Sequence, residues 1–112
     1  MQGCSCEMTV MGMAEGQHSD LPLIERIGQI IRRDLPNLTL STEQNAKNWG
    51  SDDVSVMMNR VQAHGGQATY LRAMTDMAGA QHTVTFDFDE AVLGRSVAVF
   101  CAAAMDLMRE EA

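Results

Sequence analysis

Ala80-Gln-His-Thr-Val-Thr-Phe-Asp-Phe-Asp-Glu90 runs straight into Ala91-Val-Leu-Gly-Arg-Ser-Val-Ala-Val-Phe-Cys-Ala-Ala-Ala-Met-Asp-Leu-Met-Arg109, and these two stretches decide how the chain reads. The first sets His82 in a short polar loop and then alternates Phe86-Asp87-Phe88-Asp89. Alternation of apolar and polar residues suits a strand, whereas the long apolar segment that follows is of helical length. Asp89 and Glu90 fall where the first turn of that helix belongs, and negative charge there is favoured by the positive end of the helix dipole. His82 therefore stands between a predicted strand and a predicted helix, placed to reach a ligand. Taken alone it reads first as a surface loop residue, because a metal site needs several donors converging on one point. Phe86 and Phe88 read as core anchors.

The helix expected from Glu90 to Arg109 carries Arg95 as its only charge between Ala91 and Met105. A helix apolar nearly all round is expected to be buried on more than one side. In 112 residues with three helices there is little interior for that. The helix is therefore expected to be the most buried element and also to meet another surface, either a second copy or a partner.

Working back toward the amino terminus, Gln67 to Thr75 alternates and reads as a strand, ended by a loop over Asp76 to Gln81. Val54, Met57, Met58 and Val61 make a helical stripe, with Ser51 expected as its cap and His64-Gly65-Gly66 as its stop. Trp49, the only tryptophan, is expected to pack under the preceding loop. Asn37 to Ser41 reads as a short strand. Leu23, Ile24, Ile27, Ile30 and Ile31 recur at helical spacing, with Pro22 in the first turn, Ser19 or Asp20 as cap and Pro36 as stop. Cys6 to Ala14 reads as a strand, with a bulge or a close backbone approach at Gly12. The expected architecture is a single α/β domain over residues 1–112: a small three-layer unit of about three strands in one sheet and three helices.

Composition narrows the partners. The chain is 46% hydrophobic, which supports a core. A net charge of -7 argues against nucleic acid and anionic membrane surfaces, which select basic proteins. No apolar run is expected to reach the roughly 20 residues that span a bilayer. Neither a secretion signal nor a second cysteine pair is read, and three cysteines, Cys4, Cys6 and Cys101, fit a reducing cytoplasm. Cys101 is expected to be a buried small hydrophobe, and the ten methionines are expected to fill the core.

Gly50-Ser51-Asp52-Asp53, Arg60-Val-Gln-Ala-His-Gly-Gly-Gln-Ala-Thr-Tyr70, His82 and Phe86-Asp-Phe-Asp-Glu90 together resemble the carboxy-terminal end of a known family. It is the dinuclear-zinc amidohydrolase and peptidase family that includes aminoacylases, carboxypeptidase G and aminobenzoyl-glutamate hydrolase. The resemblance runs from about Ser5 to about Met108 and covers the last third or less of a family protein. It implies a zinc cofactor, with His82 as one metal ligand and Gly50, Ser51 and Asp52 in a substrate-binding loop. In such enzymes two zinc ions activate a shared water for attack on an amide carbonyl, with a glutamate as general base. Backbone N–H groups at a helix start suit a substrate carboxylate, although Asp52 and Asp53 add opposing charge, and a plain helix cap explains the loop equally. Where the family has His-His-Pro or His-Ser-Pro, this chain has His82-Thr83-Val84.

One histidine falls short of the about three protein ligands of a catalytic zinc. The resemblance therefore implies the C-terminal part of a catalytic domain, inactive alone. It leaves open one component of a split hydrolase of N-acyl amino acids or aminobenzoyl-glutamate, and a non-catalytic self-associating module. A homo-oligomer, or a partner chain carrying the rest of the domain, is expected.

Overall fold

A computed structural model describes residues 3–41 and 52–109. Three helices and one short hairpin make up its regular structure, in the order α1 (Leu21–Asp34), α2 (Asp53–Ala63), β1 (Met77–Ala78), β2 (Asp87–Phe88) and α3 (Ala91–Arg109).

α1 forms where the isoleucine periodicity places it. Pro22 sits in its first turn, where no N–H is needed, and Arg32 and Arg33 occupy the last turn, complementing the helix dipole. Ile27, Gly28, Ile30 and Ile31 are buried, Ile30 to 2% exposure. α1 packs against α3. On α3 the buried residues are Val92 and Ala103. Asp106 of α3 ties the seam, accepting from Arg26 at 3.2 Å and from Arg33 at 2.8 Å. A Cβ on Gly28 would stand 3.4 Å from Leu40 Cδ2, so the stretch after α1 folds back over it.

α2 has a different anchorage. Its buried residues are Met58 and Ser55, and Ser55 is 0% exposed. Ser55, Asn59 and Gln62 share one face at spacings of four and three, and that face is bonded to residues 15–20. Asn59 Nδ2 donates to Glu15 Oε2 at 2.6 Å and to the Gly16 carbonyl at 3.2 Å. Ser55 Oγ donates to Gln17 Oε1 at 3.4 Å. The helix ends as its glycines dictate. Gly65, at φ 83, donates to the Gln62 carbonyl at 3.0 Å, and Gly66 donates to the Val61 carbonyl at 3.0 Å. This is a Schellman closure, in which the left-handed residue falls to glycine.

Helix and strand thus coexist with three helices as expected, but the strands fall elsewhere. Residues 6–14, 37–41 and 67–75 form no strand. The one ladder is antiparallel, with Met77 opposite Phe88 and Ala78 opposite Asp87. Alternation records a residue's fitness for a pleated surface, while a strand exists only when a neighbour takes up its N–H and C=O groups. Among the described residues, 6–14 have no such neighbour and are exposed throughout, Met11 to 92%. The Cα radius of gyration is 18.8 Å, against about 13 Å for a compact domain of this size.

α3 is not the most buried element. It meets α1 along one side only, and Cys101 is exposed rather than buried. Of the methionines in the described residues, Met58 alone is buried. α3 also corrects the expectation that no run nears bilayer length: among the described residues it is one helix of 19 residues, mean hydropathy 1.6, long and apolar enough to cross a membrane.

Candidate functional site

His82 lies in the loop that joins β1 to β2. Its φ of 64 is left-handed, a conformation uncommon outside glycine but one in which histidine is enriched. The surrounding loop is held by its own polar groups. Thr83 Oγ1 donates to the Ala80 carbonyl at 2.7 Å, and Phe86 N donates to the Thr83 carbonyl at 3.2 Å. Gly79, at φ 78, passes so close to Thr85 that a Cβ would meet its carbonyl oxygen at 2.7 Å. The imidazole is exposed at the tip of the hairpin.

Phe86 and Phe88 lie 6.1 Å apart between ring centroids, tilted at 36°. Phe88 is half-buried and Phe86 exposed, so they anchor the hairpin rather than a deep core. Asp89 then starts α3, its Oδ1 accepting from Ala91 N at 2.9 Å, as the charge pattern predicts.

Of the expected substrate-binding loop, Gly50 and Ser51 lie outside the described residues, as does Trp49. Asp52 is the N-cap of α2, a position expected for Ser51. Its Oδ1 accepts from Val54 N at 3.4 Å, and Ser55 Oγ accepts from Asp52 N at 3.2 Å, a reciprocal capping box. The Asp52 carboxylate is thus engaged with its own helix. Having a serine three residues ahead is what selects Asp52, a signal present in Asp52-Asp53-Val54-Ser55.

The sequence holds one His-x-Asp spacing, His18-Ser19-Asp20, and one Glu-Glu pair, Glu110-Glu111. Asp20 occupies the N-cap position of α1 but does not cap it. Its Oδ2 accepts instead from Ala68 N and from Gln62 Nε2, each at 2.8 Å. The Ala68 amide, then Gln62, holds this carboxyl below the usual carboxylate range. Gln62 Nε2 also donates to the His18 carbonyl at 3.0 Å, and Gln62 Oε1 is buried without a partner in the described residues. The Asp20 carboxylate is therefore a structural fastener between α1, α2 and residue 68. Glu110 and Glu111 lie outside the described residues.

Among the described residues no three histidine, cysteine, aspartate or glutamate side chains converge on one point. The donor set around His82 does not by itself fit a zinc ion, which takes four ligands in a structural site and about three protein ligands in a catalytic one.

The stretch from the His82 loop into α3 lies within what this chain shares with known amidohydrolases. Indole-3-acetyl-aspartic acid hydrolase of Enterobacter agglomerans is 30% identical over 106 residues, which is 95% of this chain and 24% of that protein. One component of the p-aminobenzoyl-glutamate hydrolase of Escherichia coli is 44% identical over 57 residues, 51% of this chain and 13% of that protein. Its homolog in Haemophilus influenzae is 30% identical over 102 residues, 91% of this chain and 24% of that protein. The homologues of this chain are amidohydrolases, as the motifs around His82 indicate, and it spans about a quarter or less of their length. No family model and no solved structure matches it.

Proposed function

We propose that this chain forms the C-terminal part of a metal-dependent amidohydrolase catalytic domain acting on N-acyl amino acids of the aminobenzoyl-glutamate kind. One observation carries the proposal: the alignment at 30% identity that takes in 95% of the chain. In this reading His82 is one donor to a zinc site, and the Gly50-Ser51-Asp52 loop lies beside the substrate. The other donors come from further polypeptide, because the described residues gather no second and third ligand around His82. A partner chain is consistent with the two aminobenzoyl-glutamate hydrolase relatives, whose names mark each as one component of a larger enzyme.

The 112 residues alone are therefore inactive. An exposed imidazole holds a divalent ion weakly, and hydrolysis further needs a base within hydrogen-bond reach of the bound water. The test is to purify the chain, add zinc or manganese, and assay N-acyl amino acids and aminobenzoyl-glutamate. No turnover is expected. Turnover that disappears in His82→Ala would overturn the inactivity and place a complete site in these residues.

A further inference from the structure

We propose that residues 4–13, Cys-Ser-Cys-Glu-Met-Thr-Val-Met-Gly-Met, form a binding site for monovalent copper. Cys4 and Cys6 supply thiolates, and Met8, Met11 and Met13 supply thioethers. Five of these ten residues thus carry sulfur, and no histidine is among them. Thiolate and thioether are soft donors. Thioether in particular suits Cu(I) rather than zinc, whose ligands are thiolate, imidazole and carboxylate.

All five side chains are exposed, Met8 to 84%, Met11 to 92% and Met13 to 74%. Methionine exposed to this degree is not core filler. The anchorage of the segment stops at Glu15, which accepts from Asn59. Among the described residues, 6–14 take part in neither helix nor ladder, so this backbone can wrap an ion as metal-coupled folding requires. In an extended chain residues 4, 6 and 8 point to one side, which starts Cys4, Cys6 and Met8 on a common face. Gly12 has nothing within 4 Å of where a Cβ would stand, so a turn there that brings Met11 or Met13 to the same centre meets no packing.

The remaining polypeptide of an amidohydrolase is the competing occupant, covering this stretch as an apolar strand. Such a strand favours β-branched apolar side chains, of which the stretch holds only Val10. On α1, where burial is observed, the chain uses isoleucine, at Ile27, Ile30 and Ile31. Burial asks for apolar volume, which leucine matches, whereas copper asks for sulfur. The copper site uses no residue near His82 and does not rest on the amidohydrolase reading.

The reduced chain is titrated anaerobically with Cu(I) held as its bicinchoninate complex. Uptake is read from loss of that complex's colour and from the thiolate-to-copper absorption band. One copper per chain is expected, with uptake weakening as pH falls because each thiol must release its proton. Met8→Leu, Met11→Leu and Met13→Leu together keep the apolar volume and remove the thioethers. They are expected to weaken binding by at least about 10-fold, the lower end of what loss of a supporting group costs a metal site. Cys4→Ser with Cys6→Ser is expected to abolish uptake, and Cys101→Ser to leave it unchanged. Helical circular dichroism is expected to persist in the variants of residues 4–13, which lie outside α1, α2 and α3. Three outcomes overturn the proposal: no copper uptake, uptake undiminished by the leucine substitutions, and uptake that survives loss of Cys4 and Cys6 or requires Cys101.

Discussion

At His82 two explanations meet in one residue. The proposed function would make it a metal ligand, while the backbone makes it the left-handed residue of an eight-residue connection, a place where histidine is tolerated better than most side chains. The loop around it depends on glycine more strictly. Gly79 in that loop and Gly65 at the end of α2 both have positive φ, where an added Cβ costs about 1–2 kcal/mol. Only Gly79 also lacks space, with Thr85 atoms within 2.7–3.0 Å of where its Cβ would stand, whereas Gly65 has nothing within 4 Å. Gly65→Ala is therefore expected to lower the unfolding free energy by about 1 kcal/mol and Gly79→Ala by clearly more, read from urea denaturation. Equal losses would mean that the β1–β2 hairpin relaxes around Thr85 without cost.

The helices were largely legible in the sequence because their signals are local. Isoleucine spacing with Pro22 and Pro36 bounded α1, and His64-Gly65-Gly66 closed α2. The role of Asp20 was not legible, because its partners Gln62 and Ala68 lie more than forty positions away. The capping box at the start of α2 is a local signal and can be tested as one. Asp52→Ala is expected to cost about 1 kcal/mol, with loss of helical signal confined to α2. The α1–α3 seam carries a pH dependence of stated sign. Hydrogen bonding to Arg33, then to Arg26, holds the Asp106 carboxyl below its ordinary value. A depressed native pKa contributes stability that is complete above the unfolded value of about 3.9 and is lost as pH falls through the native value. Acid titration of unfolding is expected to show this loss below about pH 4, and Asp106→Asn to flatten it. An unchanged acid limb in that variant would assign the loss to Asp20 or Asp34, which are also depressed.

Over the whole molecule, what the sequence concealed was which strands find partners. Residues 6–14 and 67–75 have the composition of strands, yet the only ladder among the described residues joins Met77–Ala78 to Asp87–Phe88. Pairing is a property of two segments, and one segment's alternation says nothing of where the other lies. The same absence of a covering layer leaves Met8, Val10, Met11 and Met13 exposed. Stability should accordingly be uneven, since opening free energy follows buried apolar contact and sheltered backbone bonds. Native-state hydrogen exchange is expected to rank the amides of Ile27, Gly28, Ile30 and Ile31 slowest, because they sit where α1 is buried. Amides of residues 6–14 are expected to exchange near the free-chain rate. Slow exchange across 6–14 in the chain by itself would mean that these residues pair with another copy in solution, and would make the strand reading of Cys6 to Ala14 right for an assembly. Slow exchange that arises only when a partner polypeptide is supplied would instead support the proposal that this chain is one part of a larger catalytic domain.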